Sequence, residues 1–525
     1  MLTHRHLRIL CAGAISFALS TASLRADPTP AWLFTSGAVL QREQPIPVWG
    51  AADPGESITV TLATPAGKTV ATAHAVADRQ HAWRVRLPAM KAGGPFTLTI
   101  AGHKTRTLTD ILIGDVWLCS GQSNMEWQLK ALPNAAPAIA TAAIPGLRLF
   151  TVTQASRLTP ARIEREQTPY QAHWMASDSA AASEFSATAF YFGRQLHQDE
   201  HVPIGLINSS LGGTIIESWT PESELRHLPK ISPLLTRFDS ASAAFPAQFE
   251  AYRTALDQWY AIRQQAKPGD SIPPQPQPVW DPLPGGSGAE GLYNAMIAPL
   301  APYGIRGVVW YQGESNAPEA GFYEPLLTGM IRSWRNTWRQ PNLPFLIVQL
   351  PNLNESVQSR GDWAALREAQ WRVVNRVPNT GLIVTIDIGG DLHPPDKLTV
   401  GQRLSRLARA TVYQEKNVSF MGPVYHGMHV EGTTIRLHFT THGTALVAKA
   451  AVLNGFVIAG ADHRFVPATA RIDGSDVIVS SPDVAAPVAV RYAWENNPSV
   501  TLYNDNDLPT MPFRTDDWAL ESVRR

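Results

Sequence analysis

Ser123 stands in the run Ser120-Gly121-Gln122-Ser123-Asn124-Met125, and far along the chain Asp391 precedes His393 by two residues. A hydroxyl becomes a nucleophile when a base lies within hydrogen-bond reach, and the base works best when a carboxylate orients it. On an extended segment, side chains two apart lie on one side. The Asp391 carboxylate can then meet the His393 imidazole and hold its tautomer. Acyl transfer also needs donors for the developing oxyanion. The backbone N–H groups of Ser123 and of Gly212 or Gly213 are candidates, with a side-chain amide from Gln312 or Asn316. The pattern is not the G-x-S-x-G elbow, because Met125 occupies the second glycine position.

Such residues need a scaffold that brings them together. Apolar, strand-like runs occur at 111–119, 203–208, 305–311, 344–350 and 381–388. Helical spacing occurs at 186–197, at 363–377 and at 321–340, where Tyr323, Leu326, Leu327, Met330, Ile331, Trp334 and Trp338 form one stripe. Buried strands alternating with helices predict an α/β fold with a parallel sheet and helices on both faces. Ligands in such sheets sit beyond the carboxyl ends of the strands. The polar clusters at 120–125, 208–214, 311–316 and 391–394 all follow predicted strands.

The flanks have a different rhythm. Residues 27–110 read as a β-sandwich-like module, with two alternating runs around a Pro-Ala-Gly-Lys turn. Residues 111–414 form the catalytic region, interrupted at 228–290 by a helical segment and a Pro/Gly-rich loop. Residues 415–525 return to β rhythm. At the start, His4, Arg5, His6 and Arg8 precede a short apolar run from Ile9 to Leu19, and small residues continue to Ala26. Residues 1–26 therefore read as a secretory signal, cut after Ala22 or Ala26, with a periplasmic or secreted destination. No later segment is long and apolar enough to predict membrane insertion.

Composition narrows the function. The chain has 525 residues, with 44 Lys+Arg against 44 Asp+Glu. A nucleic-acid binder would carry a basic excess, so that class is not expected. Cys11 leaves with the signal, so the mature chain holds Cys119 alone and forms no internal disulfide. Cys119 ends a buried strand and reads as a packed, inert thiol. His426 and His429 are spaced poorly for a metal pair on a β segment, and no third ligand is evident, so neither metal nor cofactor is expected. Glu314 reads as an acceptor or a helix cap rather than a catalytic group.

The blocks "LIGDVWLCSGQSNMEW", "GGTIIESW", "WYQGESNA" and "DLHP", in this order, resemble the sialate O-acetylesterase family of SGNH hydrolases. The flanking "AVLQREQPIPVWG" and "LYNDNDLPTMPFRTDDW" extend the resemblance over nearly the whole mature chain. It implies an SGNH, flavodoxin-like sheet and an esterase that removes acetyl groups from sugar hydroxyls without a metal. Ser123 would be the nucleophile, His393 the base and Asp391 the acid, with Asp387 or a Ser-His dyad as alternatives. Gly212 or Gly213 would supply an oxyanion N–H. Ser315 replaces the Asn of the Gly-x-Asn-Asp block, so the amide donor would be Gln312 in preference to Asn316. The acetylated partner could be sialic acid or a neutral hemicellulose such as xyloglucan or xylan. A catalytically dead, sugar-binding scaffold is the non-enzyme alternative. Oligomeric state is not written in the sequence.

Overall fold

The computed structural model describes residues 28–157, 172–228, 231–265, 273–274, 276, 288–354 and 362–519. The expected signal lies outside these residues, as does most of the Pro/Gly-rich loop. Among the described residues no helix is long and apolar enough to cross a membrane.

One long strand organises the molecule. β1 (Thr105–Gly121) begins with the polar, exposed stretch TRTLTD and continues as ILIGDVWLCSG, buried throughout. The first part pairs antiparallel with Gly93–Ala101 of the N-terminal β region. The second part lies between two parallel neighbours at the centre of the main sheet. The boundary expected at residue 110 therefore falls inside a continuous strand, and the N-terminal region shares a sheet with the catalytic one.

The other strands of the main sheet are β2 (Ile144–Thr151), β3 (Met175–Ser177), β4 (Ile204–Ser210), β5 (Gly307–Tyr311), β6 (Phe345–Val348) and β7 (Thr380–Ile383). Their spatial order is β3-β2-β4-β1-β5-β6-β7. Every neighbouring pair is parallel except β3 with β2. The five runs expected from sequence all became strands, and among themselves they take the flavodoxin-like order 2-1-3-4-5. β2 and β3 were not expected. Pro145, Gly146 and Arg148 break the apolar run of β2, and the buried Arg148 is matched by Asp110 at 2.9 Å.

Side-chain alternation explains the two cores. Val116, Leu118, Val308, Trp310, Phe345 and Ile347 face one side. They pack on α3 (Tyr323–Trp338) and α4 (Trp363–Arg376), through Leu327, Met330, Trp334, Leu366 and Val373. Trp117, Cys119, Val309, Tyr311, Leu346 and Val348 face the other. There they meet α2 (Ala187–Glu200) and α5 (Lys397–Thr411), through Phe190, Phe192, Leu196, Leu404 and Leu407. Helices thus cover both faces, as buried parallel strands require. Each fully buried aliphatic or aromatic side chain contributes roughly 1.5–3 kcal/mol, so this double layer fixes the strand ends on which the chemistry sits.

The expected helical insertion is present as Ser232–Gln265, which accommodates Pro246. C-terminal strands form antiparallel sheets, such as Val424–Glu431, Thr434–Thr440, Asp476–Ser480 and Thr469–Asp473.

Candidate active site

The winding changes direction at β1, because β2, β3 and β4 lie on one side of it and β5, β6 and β7 on the other. A crevice is expected at its carboxyl end, and Ser123 lies there. Gly121 makes the turn possible. Its φ is 139°, and a Cβ at that position would stand 2.0 Å from the Tyr311 carbonyl oxygen. Ser123 then opens a single helical turn, α1 (Ser123–Glu126), closed by Trp127 N–H donating to Ser123 O at 2.9 Å. As the first residue of a turn, Ser123 has an N–H without an intrahelical acceptor. The turn is anchored from below. Thr188 Oγ1 donates to Asn124 O at 3.0 Å and Ser186 Oγ to Met125 O at 2.6 Å.

His393 arrives from the loop after β7. Gly389 N–H and Gly390 N–H donate to Asn352 Oδ1 and O at 2.7 and 2.9 Å. Asn352 is held in turn by Asn497 of the C-terminal region, at 2.8 Å. That region therefore steadies the histidine loop. The residues beside Ser123 and His393 touch directly: Asn124 Nδ2 donates to Leu392 O at 3.0 Å. The Trp127 ring stacks on the His393 ring, with centroids 4.3 Å apart and planes 22° apart. Burial lowers the proton affinity of His393, nearby Lys397 lowers it further, and Asp391 opposes both.

Asp391 acts on His393 through charge and not through a hydrogen bond. It is exposed, and its Oδ1 accepts the N–H of Leu392 at 2.7 Å. The alternative acid, Asp387, is committed elsewhere. Its two oxygens accept Arg403 Nη1 and Nη2, both at 2.7 Å.

The expected oxyanion amides are arranged differently from the sequence reading. Gln312 is fully buried, and both N–H groups of its amide are used, toward Thr214 O at 3.0 Å and Asn316 Oδ1 at 2.8 Å. Its Oε1 accepts the Tyr323 hydroxyl at 2.8 Å. Asn316 Oδ1 also accepts Ile216 N–H at 3.0 Å, and its Nδ2 donates to Glu217 Oε2 at 3.0 Å. These amides brace the loops after β4 and β5, and Gln312 has no N–H left for a substrate. Gly212 lies against the serine, since a Cβ there would meet Ser123 Cβ at 3.3 Å. However, its N–H donates to Glu126 Oε2 at 2.5 Å, while Gln154 Nε2 donates to Glu126 Oε1 at 2.6 Å. Gly213, with φ of 74°, borders open space.

Sequence reasoning missed Asn124, Glu126, Trp127 and Lys397. Glu126 was findable, because a residue three beyond Ser123 on a helical turn shares its face. Cys119 is buried in the core, which pushes its thiol up. His429 is tied to His438 at 3.0 Å and to Glu431 at 2.9 Å on an exposed strand. Among the described residues no group of three or more His, Cys, Asp or Glu side chains is arranged to hold a metal ion.

Residues 113–244 and 264–408 match the family described as carbohydrate esterase, sialic acid-specific acetylesterase. The human sialate O-acetylesterase is 30% identical over 519 residues, covering 90% of each chain. The chain belongs to this carbohydrate esterase family. The mouse sialate O-acetylesterase is similar at 29% identity, covering 90% of this chain and 92% of its own. Among solved structures, a carbohydrate acetylesterase from Xanthomonas citri superposes with a TM-score of 0.77 at 38% identity. The match covers 94% of this chain and 100% of that one. This member of the family is a carboxylic ester hydrolase, a carbohydrate O-acetylesterase.

Proposed function

We propose that the protein is an exported carbohydrate O-acetylesterase that works through an acetyl-enzyme on Ser123, with His393 as general base and then general acid. The observation that carries this reading is the Asn124 Nδ2 to Leu392 O bond of 3.0 Å, which binds the serine turn to the histidine loop at the carboxyl end of β1. Ser123 Oγ attacks the acetyl carbonyl and passes its proton to His393. The sugar alcohol leaves with that proton. Water then attacks the acetyl-enzyme through the same imidazole and releases acetate, so no metal enters any step. Asp391 supports the imidazolium by charge. The N–H groups of Ser123 and Gly213 receive the oxyanion, and Gly212 N–H joins them when Glu126 releases it. Each such donor is worth about 10²–10³ in rate.

A second reading concerns the sugar. A sialic acid brings its own carboxylate, whereas xyloglucan and xylan are neutral. The Glu126 carboxylate beside Ser123 and the Trp127 ring over His393 favour a neutral acetylated sugar. Export follows from the leader-like residues 1–26.

The test measures acetate release by wild type and Ser123→Ala from an aryl acetate, acetylated xyloglucan and O-acetylated sialic acid. Wild type is expected to release acetate and Ser123→Ala to lose at least about 10³ of the rate. Equal rates for the two proteins remove the nucleophile assignment. A preference for the sialic substrate removes the neutral-sugar reading and leaves the mechanism standing.

A further inference from the structure

A buried amine lies beneath the serine turn. Lys397 begins α5 and is only 1% exposed. Its Nζ donates to Asn124 Oδ1 and lies 5.3 Å from the centre of the Tyr311 ring. Asn124 is itself fully buried, and its Nδ2 donates to Glu314 Oε1 at 2.6 Å as well as to Leu392 O. One carboxamide thereby joins the serine turn, the loop after β5, the residue before His393 and the start of α5.

This is an expensive way to build a tie. Enclosing an ammonium group costs several kcal/mol unless a partner compensates it. Here the bond goes to a neutral amide, and Glu314 Oε2 is sealed from solvent with no hydrogen-bond partner among the described residues. Burial pushes the Lys397 amine down to about 7, with Glu314 and Asp396 opposing. Burial also pushes the Glu314 carboxyl up. Among the described residues, the charges that act on His393 are those of Lys397 and Asp391. Imperfectly compensated buried groups gather where a site needs its charges held in a set state.

We propose that Asn124, Glu314 and Lys397 form one positioning unit, in which the carboxamide locks the Ser123 turn to the His393 loop and holds the Lys397 charge one carboxamide away from the residue before His393. This inference rests on the reading of Ser123 and His393 as nucleophile and base. Among the described residues its hydrogen bonds go to neither the Ser123 hydroxyl nor the His393 ring. It acts through the two residues it holds.

Two substitutions separate its functions. Lys397→Gln keeps an N–H donor for Asn124 Oδ1 and removes the charge. The acid limb of kcat/KM against pH is expected to move up by about half a unit, so activity at pH ~5.5 falls about threefold relative to that at pH ~8. Lys397→Met removes bond and charge together. Its kcat at pH ~8 is expected to fall at least about tenfold with KM within about twofold. If Lys397→Met does not fold, Asn124→Asp carries this arm. Its carboxylate cannot donate to Glu314 or to Leu392 O, and the same loss of kcat is expected. A folded Lys397→Gln with the wild-type acid limb overturns the charge function. Wild-type kcat in folded Lys397→Met, or in Asn124→Asp when that variant carries the arm, overturns the positioning function. Ser123→Ala is measured alongside. Full activity there defeats the underlying mechanism, whereas its inactivity beside wild-type behaviour in the other variants defeats this proposal alone.

Discussion

The buried half of β1 carries a charged network near each end, and the two are built on opposite lines. At the start, Asp115 is fully buried and saturated. Its Oδ1 accepts Gln41 Nε2 at 2.9 Å, Arg42 Nε at 3.0 Å and Arg306 Nε at 2.9 Å. Its Oδ2 accepts Arg42 Nη2 and the Tyr413 hydroxyl, both at 2.9 Å. Beyond the other end, Glu314 keeps an oxygen without a hydrogen-bond partner among the described residues, and Lys397 bonds to a neutral amide. A saturated network holds elements in one arrangement, while an unsaturated one keeps a charge imbalance available to neighbouring groups. The Asp115 cluster joins Gln41 and Arg42 of the N-terminal region to the central strand and to the end of the catalytic region. The Asn124 cluster joins the two residues assigned to the chemistry.

The largest difference should appear in stability. Asp115→Ala strands two arginines near the sheet and should cost about 3–5 kcal/mol in denaturant unfolding, with kcat of the folded protein within about twofold of wild type. A variant that is fully stable, or that loses kcat alone, would erase the contrast. Gly212→Ala should act the other way. Its new Cβ meets Ser123 Cβ at 3.3 Å and Glu126 Oε2 at 3.0 Å. A fall of about tenfold in kcat/KM, equivalent to about 1.4 kcal/mol of barrier, is expected with little change in melting temperature. An unchanged kcat/KM would show that the glycine does not border the working serine.

The two networks also differ in pH dependence, and they occupy opposite windows. The arginines around Asp115 hold its carboxyl below the usual 3.8, although burial alone would raise it. Its stabilising contribution is therefore complete above about pH 4 and is lost as pH falls through its lower, folded value. Lys397 is shifted from 10.5 to about 7 in the folded chain. Between those values the unfolded chain binds the extra proton, so this residue makes stability rise with pH from 7 toward 10.5. Unfolding free energies measured across pH should show Asp115→Asn flattening the acid side and Lys397→Met flattening the alkaline rise. Identical pH profiles for wild type and both variants would contradict this assignment.

Local pattern revealed the frame and left the partners obscure. The apolar runs and helical stripes marked the five core strands and three of the helices, because buried parallel strands and amphipathic helices write their periods into the chain. They also placed Ser123 and His393 beyond strand ends. β2 escaped because Arg148 interrupts its apolar run, and its neutralisation by Asp110 depends on a residue 38 positions away. The bracing of Gln312 and Asn316 was hidden for the same reason. An amide's type shows what it can donate, but only the packed loops decide that Thr214 O and Glu217 receive those bonds. Lys397 sits four residues past His393, just after the N-cap Asp396, and reads locally as an ordinary solvent-facing helix start. Its burial comes from Asn124 and Tyr311, which no local period encodes.

The central claim is that His393 activates Ser123. A fluorophosphonate that phosphonylates activated serines tests it most directly, with the adduct mapped by peptide mass spectrometry in wild type and in folded His393→Ala. Labelling is predicted on Ser123, slowed by at least about 10² when the imidazole is removed. An adduct on a different residue, or Ser123 labelled equally fast in both proteins, would contradict it.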